Sequence, residues 1–462
     1  MRCPVILGVS ALAIVLVVPA FAVPLPLSAL PLDYSSLYSP DWPMYGHDLW
    51  GTHFNSVETA VNESTVGSLV EKWRVDGIGM YGTPAVSQGT VYVSTAAGDV
   101  VALDAVSGAL KWTTHTGLTM TASPAVANGL VFVTNLGPDA RVWAFDTATG
   151  TLVWSSVIDQ YAAGWGSPVV VGPLVIVGQS GGDEESGTQP HRGSLQAFNA
   201  ATGSLVWRTY TVAPGHLGGA VWSTPAVLND LVYIGTGNSF DGVPDPGNTA
   251  MMAFSLETGA IVWSHQFEDF GDEDFGASPQ VFPTQAGFVV GEMQKSHYHE
   301  LDADTGDLRW SITLPVNWSV IGTPAAAYGA IYSAGSEATP DGYPVGDFCL
   351  GVEDGSVLWS HPSTGSFSAA AAAGGVIFMP ETIGILHAYD AATGLELWNV
   401  TLPGNTYSGP VISHGLVYMG TSTGLVVYGL PSRSWRGRGV APTGRQSEEP
   451  RGRSPLPRFD FV

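Results

Sequence analysis

The interruptions of an otherwise regular, strand-rich pattern contain five residues whose types could support metal and proton chemistry. They are Glu184, Trp222, Asn238, Asp274 and Lys295. Carboxylate and amide oxygens are the ligands that calcium prefers, and a carboxylate can also accept a proton from a reacting group. An ammonium group can stabilise negative charge that develops on an oxygen. These residue types could therefore bind a hard cation and assist a proton transfer.

Each of these residues also has a structural interpretation. In a chain with a net charge of -24, a loop Glu or Asp is usually a solvated surface group. Asn238 follows a glycine and belongs to a residue type that is common in turns, and Trp222 could pack between sheets. Lys295 is harder to explain in this way, because the chain contains only three lysines. His297 and His299 are interpreted as structural, since two histidines alone are weak evidence for a metal site.

A motif that is present in seven copies indicates the elements that must position these residues. Its first copy reads Asp104-Ala-Val-Ser-Gly108-Ala-Leu-Lys-Trp112, and successive tryptophans from Trp73 to Trp398 lie 39 to 56 residues apart. Alternating apolar residues around a tight Asp-to-Gly turn predict β-strands. Four short strands per repeat at this spacing are typical of a propeller blade, with each tryptophan filling the space between neighbouring sheets.

The two ends of the repeat region are incomplete in opposite ways. Trp73 has no Asp-to-Gly turn before it, whereas residues 408–430 contain inner strands but no final tryptophan strand. If the strand around Trp73 completes the last sheet, the ring has no free sheet edge. The sequence therefore predicts an all-β fold, an eight-bladed β-propeller whose ring is closed by an N-terminal strand.

The longest insertions are expected on one rim of this ring, because insertions in repeat proteins usually fall on one face, which is often the binding face. Glu184 and Asn238 fall between the second and third strands of their blades. Lys295 lies at the start of another connection between a second and a third strand. Trp222 and Asp274 fall between the fourth strand of one blade and the first strand of the next. Since both kinds of connection share a rim, all five residues are predicted to project from it, from three successive blade positions.

The chain divides into four segments. We predict a signal peptide over residues 1–22, a proline-rich lead-in over 23–40, the propeller over 41–431 and a disordered, arginine-rich tail over 432–462. A retained membrane anchor is the alternative interpretation of the first segment. The prediction is an extracytoplasmic protein, secreted or periplasmic, that is not an integral membrane protein.

Composition excludes several partners and cofactors. Nucleic acid binding needs clustered basic side chains, which the acidic propeller region lacks. Loss of the signal peptide would leave Cys349 as the single cysteine, which excludes a disulfide framework. The chain has no Cys-x-x-Cys-His motif for a c-type haem. Electrons taken from a substrate would therefore pass to a separate acceptor, such as a separate cytochrome c.

The repeat resembles the PQQ-type propeller repeat, named after pyrroloquinoline quinone (PQQ). The opening Asp41-Trp-Pro-Met-Tyr-Gly-His-Asp48 is similar to that of the quinoprotein alcohol dehydrogenases, most of all to their polyvinyl-alcohol dehydrogenase branch. The resemblance extends over roughly residues 41–430. It implies a PQQ- and calcium-dependent oxidation of an alcohol, which could be secondary or polymeric.

The resemblance also implies a metal site and a base. Glu184 or its neighbour Glu185, together with Asn238 and Asp274, corresponds to the residues that surround the calcium ion and the quinone in that family. Asp274 corresponds to the catalytic base. Calcium takes carboxylate and amide oxygens, so the residue types suit this assignment.

Three further residues correspond to cofactor-binding positions of the family. Trp222 matches the tryptophan that stacks on the quinone, and Lys295 matches the basic residue that hydrogen-bonds the quinone oxygens. Arg192, from the Arg-Gly pair after the metal-binding glutamate, is the third candidate. The chain departs from the family in having no adjacent cysteines, His53 in place of an arginine, and Glu273 in place of a tryptophan.

Proteins with this repeat include non-enzymatic outer-membrane assembly scaffolds, so the fold does not decide the function. The alternative function is therefore a secreted propeller that binds a protein or a glycan without a cofactor. A scaffold would have no reason to keep Trp222, Asn238, Asp274 and Lys295 on one rim, which favours the dehydrogenase.

Overall fold

The structure, a computed structural model, describes residues 35–137, 139–160, 162–180, 191–268, 274–314, 322–335 and 346–431. These residues form eight radial sheets, each containing four antiparallel strands that follow one another from the axis outwards, and one sheet has a fifth, parallel strand at its inner edge. This confirms the predicted eight-bladed, all-β propeller. The proposed signal peptide and the proposed tail lie outside the described residues.

Seven blades consist of consecutive strands. Blades 1 to 4 contain β3 (Ala85–Ser87), β4 (Thr90–Ser94), β5 (Asp99–Asp104) and β6 (Leu110–His115); β7 (Ala125–Ala127), β8 (Leu130–Thr134), β9 (Ala140–Asp146) and β10 (Leu152–Asp159); β11 (Val169–Val171), β12 (Leu174–Gln179), β13 (Ser194–Asn199) and β14 (Leu205–Tyr210); and β15 (Ala226–Leu228), β16 (Leu231–Gly235), β17 (Ala250–Ser255) and β18 (Ile261–Gln266). Blades 5 to 7 contain β19 (Gln280–Thr284), β20 (Gly287–Gln294), β21 (His297–Asp302) and β22 (Leu308–Thr313); β23 (Ala325–Ala327), β24 (Ala330–Ala334), β25 (Gly346–Gly351) and β26 (Val357–Pro362); and β27 (Ala371–Ala373), β28 (Val376–Glu381), β29 (Ile385–Asp390) and β30 (Glu396–Thr401).

The eighth blade joins the two ends of the chain. Its inner strands are β31 (Val411–Ser413), β32 (Leu416–Gly420) and β33 (Gly424–Gly429), and its outer strand is β2 (Val70–Asp76). Trp73 pairs with Val427 across the antiparallel β2–β33 ladder. The N-terminal strand therefore closes the ring, as the two incomplete repeats predicted.

Seven of the eight blades contact a glycine of the next blade through the tryptophan of their outer strand. Trp112 lies over Gly150 in the Asp-to-Gly turn of blade 2, and its Nε1 donates a hydrogen bond to the Thr147 carbonyl oxygen at 2.9 Å. Gly150 has a φ of +70°, and a Cβ there would lie 2.5 Å from the indole ring. Glycine is therefore required both for the backbone conformation and for the close contact with the ring. The other pairs are Trp73 with Gly108, Trp154 with Gly203, Trp207 with Gly259, Trp263 with Gly306, Trp310 with Gly355 and Trp359 with Gly394.

Hydroxyl groups connect the starts of the first strands around the axis. The Thr83 backbone N–H donates to Ser123 Oγ at 2.8 Å, and the Gly409 N–H donates to Thr83 Oγ1 at 2.9 Å. The same type of contact joins Ser123 to Ser167, Ser167 to Thr224, Thr224 to Ser278 and Ser278 to Thr323. This hydroxyl ring links neighbouring blades at their narrowest point.

The lead-in motif forms a belt, residues 42–55, that runs around the inside of the propeller. Trp42 and Val86 exchange backbone hydrogen bonds of 2.8 and 2.7 Å in blade 1, and Asn55 Nδ2 donates to the Ile412 carbonyl oxygen in blade 8 at 2.9 Å. Carbonyl oxygens of the belt accept hydrogen bonds from five more first strands, at Val126, Val227, Val281, Ala326 and Ala372.

The belt lies on the opposite side of the hydroxyl ring from the insertions. Asp41, next to its start, accepts a hydrogen bond of 3.0 Å from the backbone of Gln88, in the turn that follows the first strand. Part of the belt, β1 (Phe54–Asn55), pairs in parallel with β27. The belt therefore follows the first strands on the side of the hydroxyl ring that faces away from the insertions.

Helical structure in the described part of the chain is limited to two short 3-10 turns, Ser35–Tyr38 and Val66–Ser68. No helix among these residues is long and apolar enough to cross a membrane.

Candidate active site

Four of the predicted site residues lie on the rim that carries the insertions. Asn238 is in the connection between β16 and β17, and Lys295 is in the turn between β20 and β21. Trp222 lies between β14 and β15, and Asp274 lies between β18 and β19. These connections correspond to the strand positions expected from the repeat. The roles of the residues stay predictions.

The backbone of Asn238 holds the carboxylate of Asp274. Its N–H donates to Asp274 Oδ1 at 2.7 Å, across the boundary between the blade 4 loop and the crossing to blade 5. A hydrogen bond to a charged acceptor is stronger than one between neutral groups. It therefore fixes one oxygen of Asp274 beside the residue that was predicted to share a metal ion with it.

Gly237 allows Trp222 and Asp274 to approach the same point. A Cβ on this glycine would lie 2.8 Å from Trp222 Nε1 and 3.0 Å from Asp274 Oδ1, which is tighter than side chains normally tolerate. The Gly237 N–H also donates to the Ala220 carbonyl oxygen at 2.8 Å, in the crossing that carries Trp222. The structure thus brings Trp222, Asn238 and Asp274 together around one glycine.

Trp222 offers a partly exposed aromatic surface at this point. It is half-buried, and its Nε1 has no hydrogen-bond partner among the described residues. The ring of Trp165, from the preceding blade, lies 6.2 Å away between centroids and is tilted by 41°. A half-buried indole beside a carboxylate can pack against a flat ring and still leave its edge polar.

Glu292, on β20, is a buried carboxyl group that the sequence reasoning missed. A Cβ at Gly235 would overlap with both its carboxylate and the side chain of Phe275, the neighbour of Asp274. Glu292 is fully buried, and neither carboxylate oxygen has a hydrogen-bond partner among the described residues. Burial raises its pKa well above the usual value, since the charged form loses its hydration. The Gly-Thr-Gly-Asn run therefore accommodates two acidic side chains, one at each glycine.

Glu292→Gln is expected to flatten the pH dependence of stability. A carboxyl with a raised pKa keeps its proton in the folded protein where the unfolded chain has lost it, so the free energy of unfolding falls as the pH rises above about 4.3. The limit of this fall is about 1.4 kcal/mol per pH unit up to the folded-state pKa. Urea unfolding between pH 5 and pH 8 measures the slope.

A matched control for this variant is Glu257→Gln, because Glu257 is exposed in a turn of blade 4. Its pH dependence should follow that of the unmodified protein. Equal slopes for Glu292→Gln and Glu257→Gln would show that the Glu292 carboxyl is ionised in the folded protein.

Lys295 occupies the tight turn between β20 and β21, with a φ of +48° and only 6% of its surface exposed. Lysine is almost never buried unless it is paired. Beside it, the Gln294 amide donates to the Glu268 carbonyl oxygen at 3.0 Å and accepts from His299 Nε2 at 2.8 Å. Burial lowers the pKa of His299 to about 3, so this histidine is neutral and holds the turn. The residue before the lysine is therefore held by two side-chain hydrogen bonds.

The backbone of Arg192 lies near the loop that carries Asn238, but its guanidinium group contacts other residues. The guanidinium donates from Nε and Nη2 to the Val212 carbonyl oxygen at 3.2 and 2.5 Å, and it lies 4.0 Å over the ring of Tyr210. Its backbone pairs with Gly218, which also pairs with Ser239 next to Asn238. Arg192 thus supports the Asn238 loop through the backbone, and its role in cofactor binding stays a prediction.

Glu184 and Glu185, the predicted metal ligands, lie outside the described residues. Within the described ranges, no group of three or more His, Cys, Asp or Glu side chains is placed to hold a metal ion. The described site contributes the carboxylate of Asp274 and the amide of Asn238. Oxygen donors of this kind suit calcium better than softer metals, so the donor chemistry fits and the two glutamates would have to complete it.

Comparison with known proteins places the chain in a family. A family model described as outer membrane protein assembly factor BamB matches residues 45–243, 246–342 and 346–442. A polyvinylalcohol dehydrogenase from Pseudomonas sp. is 25% identical, over 84% of this chain and 74% of its own length. A second one, from Sphingopyxis sp. (strain 113P3), is 27% identical, over 78% of this chain and 69% of its own length. These relatives support an oxidoreductase.

Solved structures share the architecture. A europium-containing methanol dehydrogenase superposes with a TM-score of 0.75 at 19% identity, and the match covers 86% of this chain and 99% of that chain. At this level of identity the likeness shows the fold. Because the family model matches most of the chain and the dehydrogenases align over its greater part, the chain belongs to the PQQ-repeat β-propeller family, as its repeat and opening motif indicated.

Proposed function

We propose that this chain oxidises an alcohol with PQQ as its redox cofactor and a calcium ion beside it, and that the electrons pass to a separate acceptor. The observation that carries the proposal is the meeting of Trp222, Asn238 and Asp274 around Gly237 on one rim of a PQQ-repeat propeller. A propeller that serves only as a scaffold has no need for a carboxylate and an indole edge at one backbone position.

Different residues of the rim would bind PQQ and the calcium ion. Trp222 would pack against the flat quinone ring, and Lys295 would donate hydrogen bonds to its oxygens. Asn238, Asp274 and Glu184 or Glu185 would hold the calcium ion. When bound, PQQ supplies the acceptor for the hydride and calcium supplies a Lewis acid, which the side chains of this chain cannot provide.

The task of Asp274 would be to take the proton of the alcohol hydroxyl group. The Asn238 N–H holds one of its oxygens in place, so the carboxylate is oriented before the substrate arrives. Asp274 lies in a connection on the rim that carries the insertions, so substrate would approach it from that rim.

The direct test is to add PQQ and calcium to the purified protein. We expect a change in the absorbance spectrum on PQQ binding, and reduction of an artificial electron-accepting dye when an alcohol is added. Primary, secondary and polymeric alcohols should be compared, because the relatives include polyvinylalcohol dehydrogenases. If the protein neither binds PQQ nor reduces the dye with any of these alcohols, the proposed function is wrong.

Trp222→Ala is expected to weaken PQQ binding about tenfold or more, because a stacked aromatic pair contributes about 0.5–1.5 kcal/mol beyond the apolar area that it buries. Trp222→Phe should restore part of the affinity, since it keeps an aromatic face. Trp398→Ala, on the outer strand of blade 7, controls for the loss of a half-buried tryptophan away from the site. Equal PQQ affinities for Trp222→Ala and Trp398→Ala would exclude Trp222 from the cofactor site.

The second candidate function is a non-catalytic scaffold that binds a protein or a glycan. The match to a family model described as an assembly factor is the observation that favours it. Under either function we propose an extracytoplasmic location. For the dehydrogenase, a separate cytochrome c is the proposed acceptor, since the sequence carries no haem attachment motif.

A further inference from the structure

The joint between blades 7 and 8 differs from the other seven joints of the ring. At those seven, the outer-strand tryptophan of one blade lies against a glycine in the turn between the third and fourth strands of the next blade. Trp398 of blade 7 has no such turn beside it, because the third and fourth strands of blade 8, β33 and β2, come from opposite ends of the chain. The contact that joins the other blades is therefore incomplete at the point where the ring closes.

The complete joints also share a hydrogen bond. Six of the tryptophans donate Nε1 to the carbonyl oxygen of the residue that follows the last residue of the third strand in the next blade. The pairs are Trp112 with Thr147, Trp154 with Ala200, Trp207 with Leu256, Trp263 with Ala303, Trp310 with Val352 and Trp359 with Ala391. In blade 8 the equivalent residue is Leu430, since β33 ends at Gly429.

An open groove takes the place of the missing turn. It has a volume of about 490 Å³ and lies between the outer strands of blades 7 and 8. Val70, Trp398, Val400 and Tyr428 line it together with the ion pair between Glu71 and Arg74. The rings of Trp398 and Tyr428 lie 5.5 Å apart between centroids. The groove therefore combines aromatic and aliphatic side chains with one carboxylate.

The described chain leaves the propeller at one end of this groove. Gly429 pairs with Val70, which lines the groove. Lys72 Nζ donates a hydrogen bond of 2.8 Å to the Leu430 carbonyl oxygen and holds this residue beside β2. Pro431, the last described residue, thus follows a position that is fixed next to the groove. The next residues of the chain start within reach of Trp398.

The repeat indicates which residue of the next segment corresponds to the missing glycine. In the complete turns the glycine comes four residues after the last residue of the third strand, as Gly108 does after Asp104. Counted from Gly429, this position is Arg433. The chain has no fourth strand to enter after Arg433, so a glycine is not needed for a reversal. An arginine can place its planar guanidinium on the face of an indole ring.

The segment that contains Arg433 suits the groove in length and in charge. Residues 432–438 read Ser-Arg-Ser-Trp-Arg-Gly-Arg. The groove follows β2 from Leu69 to Arg74, which is about 20 Å of strand, and seven extended residues can cover that distance. Residues 432–462 contain seven arginines and three acidic residues, whereas the whole chain has a net charge of -24. The field of the acidic propeller therefore attracts this end of the chain.

We propose that residues 432–438 bind in the groove between blades 7 and 8, with Arg433 on the ring of Trp398, and so complete the joint that lacks a turn. The bound segment would bury apolar surface of Trp398 and Tyr428 and bring arginines close to the Glu71 carboxylate. It would connect the outer strands of the two blades at which the ring closes. This binding does not depend on the proposed function.

Limited digestion of the full chain with trypsin tests the proposal, because trypsin cleaves after arginine and the C-terminal region offers sites inside and beyond the segment. Cleavage after Arg433 and Arg436 should be at least about tenfold slower than at the same bonds in a synthetic peptide of residues 431–462, since a bound segment must first dissociate. Cleavage after Arg445 and Arg451 should be as fast as in the peptide. Mass spectrometry of the products identifies each bond.

Variants on both sides of the contact make the test specific. Trp398→Ala should remove the protection, whereas Trp143→Ala, at a half-buried tryptophan of blade 2, should retain it. Arg433→Gln should speed cleavage after Arg436 about fivefold, which corresponds to a cation–π contact of about 1 kcal/mol. Arg445→Gln is the matched control and should leave that rate unchanged.

Two results would overturn the proposal. The first is cleavage after Arg433 and Arg436 at the rate of the free peptide. The second is protection that Trp398→Ala leaves unchanged. If Trp398→Ala does not fold, Val400→Ala takes its place, because Val400 is a half-buried residue of the same groove, and it should lower the protection. Protection that increases with protein concentration would show that the segment binds the groove of a second copy, which overturns binding within one chain.

Discussion

Asp274→Asn is expected to lower kcat for alcohol oxidation by about 10²- to 10⁴-fold, which is the usual contribution of a general base. Asparagine has the size of aspartate and keeps an oxygen that can accept the hydrogen bond from the Asn238 N–H, so the connection between the loops should survive. Its amide cannot take up a proton at neutral pH. The loss should therefore come from the missing base and not from a rearranged site.

The measurement is a dye-linked assay with saturating PQQ and calcium, accompanied by a separate titration of PQQ binding. Asp304→Asn, at an exposed position of a blade 5 turn, is the matched control and should keep full activity. If Asp274→Asn turns over as fast as the unmodified protein, Asp274 is not the base, although the dehydrogenase assignment stands. If the variant instead loses PQQ binding, the main role of Asp274 is to hold the cofactor site together.

The architecture followed from the sequence because its determinants are local and repeated. The Asp-to-Gly turn, the positive φ of the glycine and the tryptophan after it form one unit that recurs around the ring. Trp73 could be assigned to the last blade because only that blade lacked an outer strand. What the repeat did not reveal is that seven of these tryptophans lie on a glycine of the following blade, since this contact joins different repeats.

The place of the candidate site residues in the strand order followed from the same logic, but their detailed packing did not. Trp222, Asn238 and Asp274 could be placed on one rim from the strand order alone. Gly235 and Gly237 are needed because side chains of neighbouring elements lie where a Cβ would be. Residue spacing in the sequence does not predict where those side chains point. The available sequence signal for this close packing was the presence of two glycines at the end of an apolar strand.

Glu292 and Arg192 mark the limits of reasoning from residue types. Glu292 stands alone in an apolar strand, and this isolation was the available signal for its burial. Arg192 was assigned to the cofactor through its place in a motif, whereas its guanidinium contacts the Val212 carbonyl oxygen and the Tyr210 ring. The type of a charged residue predicts what it can bind, and only its surroundings decide which partner it contacts.

The lead-in was recognised as a family motif, but its path could not be read from the sequence. The belt has no periodic pattern, because it makes hydrogen bonds to seven different blades in succession. His53, which stands where the family has an arginine, is buried with its ring 4.7 Å from that of Tyr45. Burial lowers its pKa to about 3, so the belt carries a neutral group at this point.

Trp42→Ala is expected to lower the free energy of unfolding by about 3–5 kcal/mol, the usual cost of removing a fully buried tryptophan side chain. Trp42 is completely buried, its backbone pairs with Val86, and its ring contacts His47 at 4.9 Å between centroids. The cavity would open where the belt begins its path around the axis. Because the belt connects seven blades, the loss should appear as a lower midpoint of the whole unfolding transition in urea, and not as a separate early step.

Tyr38→Ala is the matched control for Trp42→Ala, since Tyr38 is an aromatic residue a few positions upstream that is 75% exposed. Its effect should stay within about 0.5 kcal/mol, as is usual for exposed positions. A Trp42→Ala protein that unfolds at the urea concentration of the control would mean that the belt is only attached to a self-sufficient ring. A large loss of stability would instead make the belt part of the fold itself, because the belt could then not detach without unfolding the blades that it connects.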